Sequence, residues 1–189
     1  MDQIISNSIK NCKQALAALE ANQETIKKIA SLCIWTLQNK GKIILMGNGG
    51  RAADAQHLAA EFVGRFKMDR AALPALALSI NTSILTAVGN DYGFDEVFAR
   101  QISALANPED IVVGISTSGN SKNVIKAIKK AKEKGIKTVG FLGKDGGELK
   151  KLVDVALVIA SADTPRIQEM HILSGHIICE IVEKALAQK

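Results

Sequence analysis

The segment that most constrains the fold is a short apolar run followed at once by a glycine-rich turn and a helical pattern. The run covers residues 42–46, the turn begins with Gly47-Asn-Gly-Gly, and His57 and Glu61 then stand four residues apart on one helix face. Glycines at a strand-to-helix turn let backbone N–H groups approach an anion, and the helix N-terminus adds a favourable dipole. The segment therefore predicts a βα unit that binds a small phosphorylated molecule beside reactive side chains.

Two nucleotide-binding motifs are alternative interpretations of this turn. Gly47-x-Gly49-x-x-Ala52 matches the dinucleotide fingerprint, which also requires an acidic residue at the end of the second strand. The next strand candidate, residues 74–80, is followed by Asn81-Thr-Ser without a carboxylate. The ATPase P-loop requires a Gly-Lys-Ser/Thr sequence, which does not follow the glycines. Taken alone, the turn is equally compatible with an ordinary tight βα connection.

A second loop of the same kind follows the strand candidate at residues 110–115. Its sequence is Ser116-Thr-Ser-Gly-Asn-Ser121, and a helical pattern follows over residues 122–134. Its hydroxyls and backbone N–H groups together suit a phosphate, although Ser121 alone is explained as well by a helix N-cap. Ligands of open α/β sheets bind at the carboxyl ends of the strands, so two such loops in one chain favour a phosphate site.

Two leading helices precede an alternation of strand and helix patterns. Apolar residues at helical spacing predict one helix before Asn22 and a second that ends near Gly41, while a last helix opens at Thr164-Pro165 and runs to the C-terminus. Strands are predicted at residues 42–46, 74–80, 110–115, 137–142 and 153–160. Short apolar runs separated by helices are typical of a parallel sheet covered on both faces.

These elements predict one α/β domain over residues 1–189. We expect a five-stranded, flavodoxin-like parallel sheet with helices on both faces in residues 41–189. The helical pair in residues 1–40 is expected to serve packing or oligomerisation. A chain of 189 residues is long enough to bury a full core.

Composition excludes several classes of protein. Much of the net charge of +5 comes from lysines in residues 126–137, which lie opposite the apolar positions of a helix. A solvated helix face explains them better than nucleic-acid binding, for which no aromatic platform is present. Cys12, Cys33 and Cys179 form no C-x-x-C, which indicates reduced thiols in a cytoplasmic protein. Neither a signal peptide nor a membrane-spanning run is evident, so we expect no membrane partner.

The histidines are weak evidence when each is taken by itself. The spacing of His57 and Glu61 is explained equally well by an exposed i,i+4 side-chain contact, which would stabilise the helix by roughly 0.2–0.5 kcal/mol. The last helix carries Gln168, His171 and His176. A histidine on a terminal helix is more often packed or exposed than a ligand, so these positions need support from elsewhere.

The order of motifs along the whole chain supplies that support. They are GNGG-x-AADAQH-x-AAE from Gly47, GNDYG at 89–93, STSGNS at 116–121, and TPRIQE-x-H at 164–171 with the later His176. In this order the chain resembles the phosphoheptose isomerases, the sedoheptulose 7-phosphate isomerases of the SIS domain family. STSGNS is common to SIS domains in general, whereas the combination of His57, Glu61, Gln168 and His176 is much more specific.

The resemblance implies a fold, a reaction and a set of site residues. It implies an SIS-type fold and conversion of D-sedoheptulose 7-phosphate to D-glycero-D-manno-heptose 7-phosphate, the first step towards activated heptose for surface polysaccharides. It also implies a homotetramer with active sites at subunit interfaces. One zinc ion per subunit would be held by residues matching His57, Glu61, Gln168 and His176. Substrate contacts map to Asn48, Gly49, Gly50, Glu61, Asn90, Asp91, Ser116, Thr117, Ser118, Ser121 and Gln168.

The chemistry required for isomerisation agrees with two of these residues. Moving a proton between C1 and C2 needs a base and an acid, and Glu61 and His176 are expected in these roles, each contributing about 10²–10⁴-fold. Zinc would polarise the carbonyl. A zinc-bound carboxylate is a poorer base, so either Glu61 leaves the metal during turnover or the metal mainly organises the site. Arg51 stands where the family usually has serine, so that sugar contact is not carried over.

The main alternative is a non-catalytic SIS protein that binds a sugar phosphate and acts on a protein partner, as relatives associated with the replication initiator do. Retention of Glu61, Gln168 and His176 favours the enzyme. Gln168 and His176 lie eight residues apart, roughly 12 Å along a helix. Zinc holds its ligands at about 2.0–2.2 Å, so we expect a neighbouring chain to supply one of the two.

Overall fold

A computed structural model describes residues 1–187 and contains a five-stranded parallel sheet between two layers of helices. The helices are α1 (Asp2–Glu20), α2 (Gln23–Gln38), α3 (Gly50–Val63), α4 (Thr82–Tyr92), α5 (Val97–Leu105), α6 (Lys122–Glu133), α7 (Leu149–Leu152) and α8 (Thr164–Ala187), with a 3₁₀ turn at Phe94–Glu96. The strands are β1 (Ile43–Gly47), β2 (Ala75–Ala77), β3 (Ile111–Ser116), β4 (Lys137–Gly143) and β5 (Val155–Ile159). The predicted fold class is confirmed.

The largest difference from the predicted elements is the length of β2. The apolar run at residues 74–80 forms a strand only over Ala75–Ala77, and α4 then begins after Asn81, whose side chain accepts a hydrogen bond from Ile84 N–H at 3.0 Å. β2 is an edge strand that pairs with β1 alone. After Ala77 the chain turns towards α4, with Leu78 N–H donating to Leu45 O at 2.9 Å. The last two residues of the predicted C-terminal helix lie outside the described residues.

The core lies on both faces of the sheet because successive strand residues point to opposite faces. On one face, α1, α2, α3 and α8 cover residues such as Leu45 and Val113. On the other face, α5, α6 and α7 cover residues such as Ile44 and Val112. Every residue of β1 and β3 is buried, which explains why their sequences are continuous apolar runs.

The strand order positions the two polar loops. The order is β2-β1-β3-β4-β5, and the parallel register places Gly47 of β1 opposite Ile115 of β3. Beyond β1 the chain extends the sheet first to one side and then to the other, which opens a crevice at the carboxyl ends of β1 and β3. The glycine-rich turn and the serine-rich loop both begin at this crevice.

The lysine-rich segment and the cysteines occupy the environments predicted from composition. Lys126 and Lys129 lie on an exposed face of α6 and form ion pairs with Glu96 and Glu148 at 2.8 and 2.9 Å. The three cysteines are free thiols, half-buried at one position and buried at the others: Cys12, Cys33 and Cys179. None of the helices in residues 1–187 is both long and apolar enough to cross a bilayer.

Candidate functional site

The glycine-rich turn joins β1 to α3 through a very close approach of the backbone. A Cβ on Gly47 would lie 2.5 Å from the Cβ of Arg51, so a larger residue does not fit there. Gly49 has a φ of 56°, a conformation that glycine adopts without strain. Helix α3 starts immediately afterwards at Gly50; Arg51 N–H donates to Asn48 O at 3.0 Å and Ala52 N–H to Gly49 O at 2.9 Å, so the open edge of the turn is at Gly49 and Gly50. The turn is thus suited to bind an anion or a sugar oxygen.

The side chain of Asn48 ties this turn to the helix that follows the serine loop. Asn48 Nδ2 donates to Asn123 Oδ1, and Asn123 Nδ2 donates back to Asn48 Oδ1, both at 2.8 Å. Asn123 is buried, and its Oδ1 also accepts from Val124 N–H at 2.9 Å. The amide pair fixes the two loops relative to each other. Sequence reasoning missed Asn123, because nothing distinguishes it from any polar residue in a first helical turn.

The serine loop is closed by its own hydroxyl groups. Ser116 Oγ lies 2.9 Å from Ser121 Oγ and 3.5 Å from Ser118 Oγ, and it accepts from Gly119 N–H at 3.1 Å. Ser121 occupies the N-cap position of α6, but its side chain makes no capping hydrogen bond. The N-cap explanation therefore does not account for its hydroxyl. Three hydroxyls converge at the N-terminus of α6, with the half-buried Thr117 between them, and this is a donor set that suits phosphate.

Three of the predicted metal ligands meet within one chain. His57 Nε2 lies 2.8 Å from His176 Nε2 and 3.5 Å from Glu61 Oε1. One ligand atom from each residue lies within 4.8 Å of the others. Helices α3 and α8 come together here because Gly175 leaves room for Leu58, whose Cδ2 would lie 2.5 Å from an added Cβ. Two imidazoles and a carboxylate form a ligand set typical of catalytic zinc sites.

One of the two short distances within this cluster matches that between neighbouring ligands of a zinc ion. Ligand atoms at 2.0–2.2 Å from a tetrahedral ion are about 3.3–3.6 Å from each other. The distance of 3.5 Å between His57 and Glu61 lies in that range, and the distance of 2.8 Å between the two histidines is somewhat shorter. Three protein ligands also leave a coordination position for substrate or water, as catalytic sites require.

Gln168 lies at the other end of the contact between α3 and α8. Its side-chain Nε2 is 3.8 Å from the position of a Cβ on Gly50, so it borders the glycine turn. His176, two turns later on α8, joins His57 and Glu61 in its own chain. The expectation that a neighbouring chain supplies one of the pair therefore does not apply to His176. For Gln168 the roles of metal ligand and substrate contact remain predictions.

The surroundings of His176 favour a neutral imidazole. Desolvation is the main cause that lowers its pKa, the nearby His57 lowers it further, and Glu61 acts in the opposite direction. The ring of Phe66 stacks on His176 with centroids 5.6 Å apart and an interplanar angle of 29°. A neutral imidazole has a nitrogen lone pair free for metal binding or proton transfer. Phe66 was not among the predicted site residues, since one aromatic after a helix carries no such signal.

Asn90 and Asp91 lie at the C-terminal end of α4, and both are exposed. Asn90 Nδ2 donates to Asp91 Oδ1 at 2.8 Å. Within residues 1–187, neither side chain hydrogen bonds to the glycine turn or to the serine loop. Helix α4 itself has no buried residue. These two predicted substrate contacts thus stand apart from the interactions that organise the rest of the site.

Arg51, which replaces the usual serine, is held inside the chain. It is 6% exposed, and its Nε donates to Asp54 Oδ2 at 2.6 Å. Burial, and to a lesser extent the charge of Arg51, lower the pKa of His171 to about 4 against the opposing hydrogen bond to Leu142. His171 is therefore neutral near pH 7, and its Nε2 donates to the carbonyl oxygen of Leu142 at 3.1 Å. His171 is a core residue, not a member of the cluster.

Comparisons with known proteins agree with the geometry. The sequence model of the SIS domain family matches residues 8–143. A phosphoheptose isomerase of Helicobacter pylori (strain P12) is 55% identical, covering 100% of this chain and 99% of that protein. The structure of a phosphoheptose isomerase from Neisseria gonorrhoeae has a TM-score of 0.92 at 42% identity, covering 97% of this chain and 98% of that one. The sugar isomerase domain of an RpiR transcription factor from Sphaerobacter thermophilus is 19% identical with a TM-score of 0.66, covering 97% of this chain and 89% of that one, and shares the fold alone. The chain belongs to the SIS domain family and, within it, to the phosphoheptose isomerases.

Proposed function

We propose that this chain is an aldose–ketose isomerase that converts D-sedoheptulose 7-phosphate to D-glycero-D-manno-heptose 7-phosphate, the first step towards activated heptose for surface polysaccharide. The observation that carries the proposal is the meeting of His57, Glu61 and His176 on the helix that follows the glycine turn and on α8. A protein that only binds a sugar phosphate needs the two loops but not this acid–base set. The names of the relatives in Helicobacter pylori and Neisseria gonorrhoeae support the same substrate class.

The two loops bind the substrate. The hydroxyls of Ser116, Ser118 and Ser121 and the N-terminus of α6 hold the phosphate. Asn48 and the glycine turn then face the sugar hydroxyls, and Gln168 lies beside that turn. Anchoring the phosphate in the serine loop supplies binding free energy that is the same in the ground and transition states.

Glu61 and His176 move the protons. Glu61 takes the proton from C1 and returns it to C2, while His176 transfers a proton between the oxygens on those carbons. Zinc held by His57, Glu61 and His176 would act as a Lewis acid that polarises the carbonyl. Binding of a cation would weaken Glu61 as a base and would occupy the Nε2 lone pair of His176. These two groups would therefore either be free of the metal when they transfer protons or act beside an ion that mainly orders the site.

The direct test is incubation of the purified, zinc-supplemented protein with sedoheptulose 7-phosphate. We expect the anomeric proton signals of an aldoheptose phosphate to appear in the NMR spectrum. Binding of the ketose phosphate by calorimetry without any conversion would contradict the isomerase and favour a regulator that senses the sugar.

The serine loop gives a prediction about KM. Ser116→Ala, Ser118→Ala and Ser121→Ala should each raise KM by about 10–100-fold, since each removes a hydrogen bond to a charged group. The phosphate is bound equally in the ground and transition states, so kcat should change little. Ser103→Ala is the matched control, because that hydroxyl donates to Ala99 O within α5. A lowered kcat with unchanged KM would argue against a phosphate contact.

We propose a homo-oligomer, a tetramer, with active sites at subunit interfaces. The helical pair leaves large apolar side chains exposed, including Ile4 at 72%, Ile5 at 57% and Trp35 at 48%. A groove of about 360 Å³ between α1, α2 and α8 is lined largely by apolar side chains, among them Leu16 and Ile181. Exposed apolar surface of this extent is typical of interfaces. Residues 1–40 thus serve assembly within a single domain of 189 residues.

The compartment and the metal content are also part of the proposal. Free thiols at all three cysteines suit a reducing cytoplasm. One zinc ion per subunit follows from the single cluster of His57, Glu61 and His176 that residues 1–187 contain. Elemental analysis of protein purified without chelator should therefore find close to one zinc per chain.

Mixing two inactive variants tests whether a single active site is built from residues of one subunit or of two. His176 and Glu61 belong to the same chain, so Glu61→Gln mixed with His176→Gln should stay inactive after dissociation and reassociation. Within residues 1–187, Asp91 makes no hydrogen bond to the glycine turn or the serine loop, so Glu61→Gln mixed with Asp91→Asn should recover roughly a quarter of wild-type activity by random pairing.

Mixed oligomers must be verified by mass spectrometry before either rate is interpreted. Recovery in the first mixture would show that Glu61 and His176 act across chains. Failure of the second mixture to recover would place Asp91 in the site of its own chain.

A further inference from the structure

A buried ion pair lies next to the His57–Glu61–His176 cluster and takes no part in phosphate binding, metal binding or proton transfer. The side chains of Arg70 and Glu183 are 4% and 1% exposed, and Arg70 Nε lies 3.2 Å from Glu183 Oε1. Charged side chains are almost never this deeply buried unless they are paired. Such a pair adds little net stability compared with apolar residues of similar size, so its local contacts are the better guide to its role.

Glu183 holds the segment that follows α3. Its Oε1 accepts from Phe66 N–H at 2.9 Å, and its Oε2 accepts from Lys67 N–H at 2.7 Å and Met68 N–H at 2.9 Å. Desolvation raises the pKa of Glu183, but the three N–H donors and Arg70 lower it by more, so the net pKa is below its usual value. The side chain is a carboxylate near pH 7, and it fixes the backbone at Phe66.

Arg70 holds the end of α3. Its Nη1 donates to Phe62 O at 2.8 Å and to Ala71 O at 2.9 Å, and its Nη2 donates to Glu61 O at 2.8 Å. The last carbonyl groups of a helix have no intrahelical donors, so the guanidinium satisfies acceptors that would otherwise be open. One of those acceptors belongs to Glu61 itself.

Both residues of the ion pair are therefore connected to the cluster. Through Glu183, the ring of Phe66 is held where it stacks on His176 at 5.6 Å. Through Arg70, the last turn of α3 is held with the backbone of Glu61. His57 lies one turn earlier on the same helix.

We propose that Arg70 and Glu183 are positioning residues for the His57–Glu61–His176 cluster. Glu183 holds Phe66 against His176, and Arg70 holds the turn of α3 that carries Glu61. The inference rests on the metal site of the proposed function and extends it to the groups that orient its ligands. Partners that orient metal ligands usually contribute about 10–100-fold to metal affinity.

The first test measures the His176 ring without any metal. The chain has three histidines, so metal-stripped protein should give three Cε1–H signals in a ¹H–¹³C NMR spectrum, assigned with His57→Gln and His176→Gln. Phe66→Leu removes the aromatic ring and should shift the His176 signal. Glu183→Gln should shift the same signal, because an amide NH₂ would face a backbone N–H donor and release the segment. The signal of His171 should stay in place in both variants.

The second test measures zinc affinity by competition with a chromophoric chelator. Glu183→Gln should weaken zinc binding by about 10–100-fold, and Phe66→Leu should weaken it in the same direction. The matched control is Asp110→Asn, immediately before the central strand β3 and at the amino-terminal end of the strands, away from the crevice at their carboxyl ends. Asp110 accepts from Lys42 N–H and Asn107 N–H, both at 2.8 Å, and pairs with Lys42 Nζ at 2.6 Å. This control should lose thermal stability but keep wild-type zinc affinity and the wild-type His176 signal.

The results of these two tests distinguish a positioning role of the Arg70–Glu183 pair from a role in stability alone. If Glu183→Gln loses stability as Asp110→Asn does, yet keeps the His176 signal and the zinc affinity, the pair is structural only and the inference is wrong. If Glu183→Gln does not fold, Phe66→Leu decides, since it keeps the ion pair, and unchanged zinc affinity in that variant overturns the inference. If the wild-type protein binds no zinc, the metal assignment is wrong. The His176 signal of Glu183→Gln in metal-free protein still shows whether the ion pair positions His176.

Discussion

Glu61→Gln is expected to lower kcat by about 10²–10⁴-fold, the contribution of a positioned acid–base group. Glutamine has nearly the same volume but cannot accept the proton from the substrate. The side chain of Glu61 is 22% exposed and lies 3.5 Å from His57, so its removal should hardly affect stability. The measurement is the initial rate with sedoheptulose 7-phosphate over a range of concentrations, with zinc content determined on the same samples.

Two controls separate the roles of Glu61 as base and as ligand. Glu133→Gln makes the same change at an exposed carboxylate paired with Lys130 at the far end of α6, and it should keep wild-type kcat and KM. In D₂O, the wild-type enzyme should incorporate deuterium into the sugar, whereas Glu61→Gln should not. Near wild-type turnover in Glu61→Gln would show that another group takes the proton. Full recovery in excess zinc would show that Glu61 is a ligand and not the base.

The architecture of the sheet follows from local sequence patterns. The run at residues 110–115 corresponds to β3 at Ile111–Ser116, because a strand covered on both faces must be apolar at nearly every position. The pairing of His57 with Glu61 is also local, since helical spacing alone brings positions four apart together. The length of β2 could not be predicted in this way, because an apolar run does not show where the chain turns away from its neighbouring strand.

The rest of the site depends on contacts between distant parts of the chain. His176 contacts His57 because Gly175 lets α8 approach Leu58 closely. A single glycine within a helical pattern does not predict such a contact. Glu183 binds backbone N–H groups more than a hundred residues earlier, and its position in the sequence is that of any surface glutamate near a helix end. Helical periodicity predicts which face a residue shares, but not which polar group that face will meet.

His176→Gln is expected to lower kcat by about 10²–10⁴-fold even at saturating zinc. His57 and His176 approach within 2.8 Å through their Nε2 atoms, so each is placed to bind the metal. Only His176 is also assigned a proton-transfer role. Comparison of His176→Gln with His57→Gln therefore separates ligation from proton transfer, because both variants lose one imidazole from the same cluster.

The discriminating measurement is kcat for both variants as zinc is raised, with occupancy followed by competition. If metal binding were the whole contribution of each residue, the two variants would recover together as the site fills. We expect His57→Gln to recover a large part of its activity and His176→Gln to stay low at full occupancy, since added metal restores charge at the carbonyl but not the transfer of a proton between the substrate oxygens. Equal recovery of the two variants would contradict the acid–base role of His176 and leave Glu61 as the one side chain that moves a proton.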